Sequence, residues 1–218
     1  MKALLLTLQY KVLLVMNNPK DDLQHIREMM ERSSRFISLS GLSGVMAGVI
    51  ALLGAAAAYY LLSANGISYT DNIESLEPQQ LLIQMVLLAL AVLVLAVGAG
   101  IWFTVRKSKK QGLKIWTNTT KHLLLNLFGP LLAGGIFCAA LLYHGSIAYV
   151  APATLVFYGL ALVNASKYTY SDIQYLGYCE IFLGLIAMFL IGYGLIFWAL
   201  GFGVLHIVYG VVMYQKYK

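Results

Sequence analysis

LLIQMVLLALAVLVLAVGAGIWFTV (residues 81–105) contains no charged side chain, and the RKSKKQGLKIWTNTTK that follows it (106–121) carries Arg106, Lys107, Lys109, Lys110, Lys114 and Lys121. The first stretch exceeds the ~20 apolar residues that cross ~30 Å of hydrocarbon at 1.5 Å per residue. The second puts dense positive charge at one end of it. Together they predict a transmembrane helix whose C-terminal end is cytoplasmic, because Lys and Arg concentrate in the short loops on that side of a membrane. A short interfacial helix around Leu113 to Trp116 is expected within the basic segment.

Working outward, SANGISYTDNIESLEPQQ (63–80) holds Asp71, Glu74 and Glu77 but neither Lys nor Arg, and reads as an outer loop. Residues 36–62 form the span before it. Downstream, the same criterion gives spans at 122–143, 147–163, 173–191 and 195–214. A short turn at His144 to Ser146 and a tight one at Gly192 to Gly194 fall on the outer side. The loop with Lys167, and the end with Lys216 and Lys218, fall inside. The expected fold is an all-α, polytopic transmembrane helix bundle of about six spans over residues 36–218, with both termini cytoplasmic. The sequons at Asn118 and Asn164 lie on the inner side and read as accidental.

Composition agrees. Of 218 residues, 60% are hydrophobic and 11% charged, against roughly a quarter charged in soluble domains. The formal net charge of +6 sits between the apolar runs rather than on one face, so it marks membrane orientation and gives no reason to expect nucleic acid. Cys138 and Cys179 both fall inside apolar runs without CxxC or Cys/His spacing, which predicts neither a disulfide nor a metal site.

Residues 1–35 read as a cytoplasmic N-terminal segment. In NNPKDDLQHIREMMERSSR (17–35), Leu23, Ile26, Met29 and Met30 recur at helical spacing behind a Pro19-to-Asp21 start signal, which predicts an amphipathic helix with Arg27, Arg32 and Arg35 toward anionic headgroups. MKALLLTLQYKVLLV (1–15) has no cleavage site. It reads as an extension upstream of a start at Met16, or as an interfacial helix.

Chemistry is sought among ionisable residues inside the spans, each of which costs ~2.5–3.5 kcal/mol at a helix centre on insertion scales. Glu180 is ~10 Å deep in the fifth span and His206 ~12 Å deep in the sixth, counted from the inner side at 1.5 Å per residue. Gly177, Glu180 and Gly184 share an i, i+3, i+7 spacing with Gly203, His206 and Gly210. Glycine faces allow close helix approach, so the two polar groups are expected to point into the bundle and meet. There they either act as interhelical glue or exchange a proton, as an imidazole beside a carboxylate can near neutral pH. His122, Asn126, Tyr158, Asn164, Ser166, Tyr178 and Tyr209 lie toward the same side. With the pair, Asn126, Asn164, Tyr178 and Tyr209 are candidates to line an inward-facing polar pocket. The tyrosines also suit an aromatic belt. Asn126 precedes Pro130, Gly134 and Gly135, where a kink can form. Gly41, Gly44 and Gly48 repeat the glycine spacing in the first span and predict a packing face, within the monomer or at a homo-oligomer seam.

No HExxH, GxSxG, Walker A or paired-aspartate motif occurs, which leaves any enzyme as an intramembrane one. No cofactor is expected. Haem or quinone is a trailing reading, because His122 and His206 differ in depth and His144 is on the other side.

IREMMERSSRFISLSGLSG (26–44), together with the stretch from Pro152 through NASKYTYSDIQYLGYCE to GFGVLHIVYG, resembles a group of predicted bacterial six-span membrane proteins without a known activity. The resemblance implies a bacterial cytoplasmic (inner) membrane and no substrate. The leading expectation is a small membrane protein whose pocket binds or moves a small solute or a proton. The alternative is a non-enzymatic regulator or scaffold whose residues 17–35 dock a cytoplasmic protein partner. In either case the bilayer itself is a partner.

Overall fold

The computed structural model describes residues 40–67 and 79–217. The amphipathic helix expected at 17–35 and most of the loop at 63–80 lie outside the described residues. Six helices long and apolar enough to cross a membrane make up most of the described chain: α1 Gly41–Ala64, α2 Gln80–Lys110, α3 Asn118–Tyr143, α4 Ile147–Tyr168, α5 Asp172–Phe189 and α6 Gly194–Lys216. Among the described residues there is no strand.

The helix limits follow from local chemistry. The last turn of α2 is built from Lys107, Ser108, Lys109 and Lys110, whose charge favours the helix C-terminus. Gly112, at φ +65°, then ends it in a conformation that only glycine adopts freely. Thr117 caps α3 by accepting a hydrogen bond from the Thr120 N–H at 3.2 Å. With a glycine stop and a threonine cap so close together, residues 113–116 are not helical. The interfacial helix expected there is therefore corrected to a plain connection.

The helices pack as two groups joined by α6. α1 lies between α2 and α6, while α4 lies between α3 and α5. α2 therefore meets the rest of the bundle chiefly through α1, and Leu87, Leu90, Leu93, Val94 and Ile101 along it are exposed. A contiguous apolar surface of this kind marks a face for a membrane or for a protein partner.

The charged ends gather on one side. The Lys107 ammonium lies 5.9 Å from the Tyr170 ring centre, the His122 ring stacks on Tyr168 at 5.8 Å, and Lys216 pairs with Asp172 at 2.8 Å. The C-termini of α2 and α6, the N-termini of α3 and α5 and the α4–α5 connection thus share one end. At the other end Leu62, Leu81, Ile147 and Leu195 form an apolar cluster.

Glycine decides how closely the helices approach. A methyl group on Gly48 would stand 2.6 Å from the Gly203 carbonyl oxygen, and one on Gly210 would stand 2.5 Å from the Val45 nitrogen. The Gly41–Gly44–Gly48 face of α1 is thus seated on Gly203 and Gly210 of α6, inside the monomer. Gly177 and Gly184 serve a different contact, between α5 and Gly159, Val163, Pro152 and Val156 of α4.

Candidate functional site

Glu180 and His206 do meet. Glu180 Oε1 lies 3.3 Å from His206 Nδ1. The Glu180 side chain is fully buried at 0% exposure and His206 nearly so at 6%.

The other partners fix the orientation of the imidazole. Nδ1 is 3.0 Å from the Gly201 carbonyl, an atom that can only accept, so Nδ1 carries the proton. Nε2 is 2.8 Å from the Tyr158 hydroxyl and accepts from it when the ring is neutral. Phe202 stacks on the ring at 5.9 Å between centroids and packs against Tyr158 at 4.9 Å. An aromatic face so placed also tolerates the charged imidazolium.

The backbone of α6 makes the room. Residues Ala199–Leu205 form a π-helical stretch immediately before His206. Such i→i+5 turns widen a helix, and they recur at functional sites. The Gly201 carbonyl and the His206 ring are five residues apart, the span of one wide turn. Gly201 is also the surface against which the carboxylate lies: a methyl group there would run into Glu180 Oε2 and stand 2.5 Å from Leu155. Gly201 is the residue that sequence reasoning passes over, whereas Tyr158 stands among the polar groups expected toward the inner side. Tyr158 is expected there as one of seven polar groups, with nothing to single out its contact with the imidazole. Gly201 stood outside the i, i+3, i+7 pattern because that pattern assumes an α-helix throughout.

One feature of Glu180 is not explained by packing. Neither carboxylate oxygen has a hydrogen-bond partner among the described residues, since the 3.3 Å approach to Nδ1 is poorly aimed and the proton there points to Gly201. A bare carboxylate without hydrogen bonds and out of water is costly.

The remaining candidates fall elsewhere. Pro130 lacks an N–H, so the Asn126 carbonyl four residues before it loses its helical donor. The Asn164 side chain supplies a replacement at 3.0 Å, and the Asn126 side chain donates back to the His122 carbonyl at 2.8 Å. Asn164 therefore clasps α4 to α3 while the Asn126 side chain bonds within α3, and α3 stays helical through Pro130. Tyr178 is 51% exposed and accepts from the Gln174 side chain at 2.8 Å. Two residues from Glu180, it cannot share its helix face, and it is not part of the site. Tyr209 is half-buried, one turn beyond His206, beside Tyr158 in the cluster around Leu162, Ile173 and Leu176.

No protein-family model, curated protein or solved structure matches the chain.

Proposed function

We propose that this chain is an integral membrane protein of a bacterial cytoplasmic membrane, its basic end inside, and that it binds a proton at Glu180 and couples that proton to binding or moving a small solute. The observation that carries this reading is the sealed Glu180 carboxyl, without a hydrogen bond to either oxygen and 3.3 Å from an imidazole. An acid and a base so placed hold one proton between them and change charge when it leaves.

A second reading has its own support. Burial at 0% exposure also suits a pair that fixes helix packing, in a regulator or scaffold whose cytoplasmic residues 17–35 dock a protein partner.

The test is proton entry into liposomes containing the purified protein, read by a trapped pH-sensitive dye under an imposed pH gradient. Entry that disappears in Glu180→Gln, with the thermal unfolding midpoint retained, is the expected result. A parent protein without proton entry, together with a Glu180→Gln variant that fails to fold, sinks the transport reading in favour of packing.

A further inference from the structure

Resting on the reading of the chain as a membrane protein with its basic end inside, we infer that residues 106–121 form a docking surface for anionic phospholipids of the cytoplasmic leaflet. The class of partner follows from charge that has no counter-charge. Arg106, Lys109, Lys110, Lys114 and Lys121 are exposed, and none of them has an ion pair among the described residues. No Asp or Glu occurs from residue 78 to residue 171, so the surrounding chain supplies no acid. Asp172, which opens α5, is already held by Lys216 at 2.8 Å and by the Tyr217 hydroxyl at 2.7 Å. The other described cations of this end are likewise engaged. Lys167 donates to the Asn164 side chain at 3.4 Å, and the Lys107 ammonium lies 5.9 Å from the Tyr170 ring centre. The uncompensated charge is therefore confined to one segment.

Its neighbours favour a lipid over a soluble polyanion. Trp102 is exposed on α2, and the Arg106 guanidinium, one turn further on, stands over its ring at 5.5 Å. Trp116 is exposed on the connection to α3. An indole suits the headgroup level, where its apolar body and polar N–H are both satisfied. A guanidinium offers paired N–H donors that match the oxygens of a phosphodiester. A soluble polyanion would use the cations and leave both tryptophans in water. A phospholipid uses both, its phosphate meeting the cations and its acyl chains meeting the indoles.

The surface is also pre-ordered. The Thr120 hydroxyl donates to the Ile115 carbonyl at 2.6 Å, and the Thr120 N–H donates to Thr117 at 3.2 Å. Lys114 and Trp116 thus stand on a tied connection, and less ordering is left for binding to supply. Because α2 packs chiefly on α1 and α3 chiefly on α4, lipids held here join the inner ends of two helices that have different partners.

The experiment is electron spin resonance of the full-length protein in phosphatidylcholine liposomes, with spin-labelled phosphatidylglycerol or spin-labelled phosphatidylcholine as the probe. The fraction of each probe immobilised by the protein gives their relative affinity. In ~0.1 M salt phosphatidylglycerol should be favoured at least ~5-fold, about what one surface cation provides at an anionic membrane. The preference should fall in ~1 M salt, where the screening length shrinks to ~3 Å. It should vanish when Arg106→Gln, Lys109→Gln, Lys110→Gln and Lys114→Gln are combined. Lys167→Gln, which removes an engaged cation from the same end, should match the parent. Should the quadruple variant fail to fold, Lys114→Gln alone takes its place, and a preference equal to the parent's then overturns the surface. A quadruple variant with the parent's preference overturns it too, as does inorganic phosphate that abolishes the preference at constant ionic strength, which would assign the cations to a free anion. Equal immobilisation of the two probes by the parent overturns the lipid surface in favour of a soluble acidic partner and leaves the membrane reading standing. A parent that immobilises neither probe has not entered the bilayer, and sinks the membrane reading together with the surface.

Discussion

α2 and α6 are both apolar helices carrying glycines, yet those glycines do opposite things. Gly98 and Gly100 of α2 have nothing within 4 Å of where a side chain would begin. Gly201, Gly203 and Gly210 of α6 each abut a neighbouring carboxylate, side chain or backbone. One helix uses glycine as filler along a surface, and the other uses it to bring functional groups within reach. Glycine content alone does not mark a packed helix; the partner that fills its place does.

The sharpest break in that comparison is steric. Gly210→Val should clash with the α1 backbone and cost ~3 kcal/mol or more, at the upper end of overpacking penalties. Gly98→Val should change the thermal unfolding midpoint little, or raise it by relieving a helix of glycine. Equal losses in the two variants, measured in the same detergent, would end the distinction.

Gly201→Ala should follow, at ~1–3 kcal/mol for a methyl group forced against Glu180 and Leu155. It should also separate the carboxyl from His206, read as a shifted imidazole resonance by nitrogen NMR. Asn164→Ala comes next. It strands the carbonyl that Pro130 leaves without a donor, and should cost ~1–2 kcal/mol, whereas Pro130→Ala with Asn164→Ala should recover part of that loss because the helix then supplies its own donor.

The smallest effect is at the surface. Burial first, and then the hydrogen bond to Asp172, hold the Tyr217 phenol above its ordinary value. A raised folded value means that its contribution to stability is complete below the unfolded value of ~10 and is lost as pH rises through the folded one. Phenolate absorbance should therefore lose one of its late-titrating tyrosines in Tyr217→Phe.

The contrast also explains what could be read beforehand. Six long apolar helices are legible because each is an uninterrupted apolar run, and the meeting of Glu180 with His206 is legible because ionisable residues inside such runs are rare. The contribution of Tyr158 was hidden by its resemblance to any tyrosine near an interface, and that of Asn164 by its sequence distance from Pro130. Gly201 was hidden for a different reason: its placement depends on a wide turn that no periodicity announces. The pocket expected from Asn126, Asn164 and Tyr178 assumed that polar residues at one level face one another. Asn164 is instead committed to repairing a proline break, Asn126 to a carbonyl of its own helix, and Tyr178 to the exposed side.

The wide turn in α6 has one more consequence. A turn closed over five residues stores one residue more than the turn it replaces, and each residue of an α-helix advances ~100° about the axis. The strand of chain beyond Leu205 is therefore dialled out of phase with the part before it. Winding residues 199–205 as a regular α-helix with no residue removed would leave hydropathy and length untouched, yet it would swing one half of the helix relative to the other. His206 and Gly210 could then no longer address Tyr158 and α1 while Gly201 still addressed Glu180. The molecule's chemistry is keyed to an angle rather than to any one side chain.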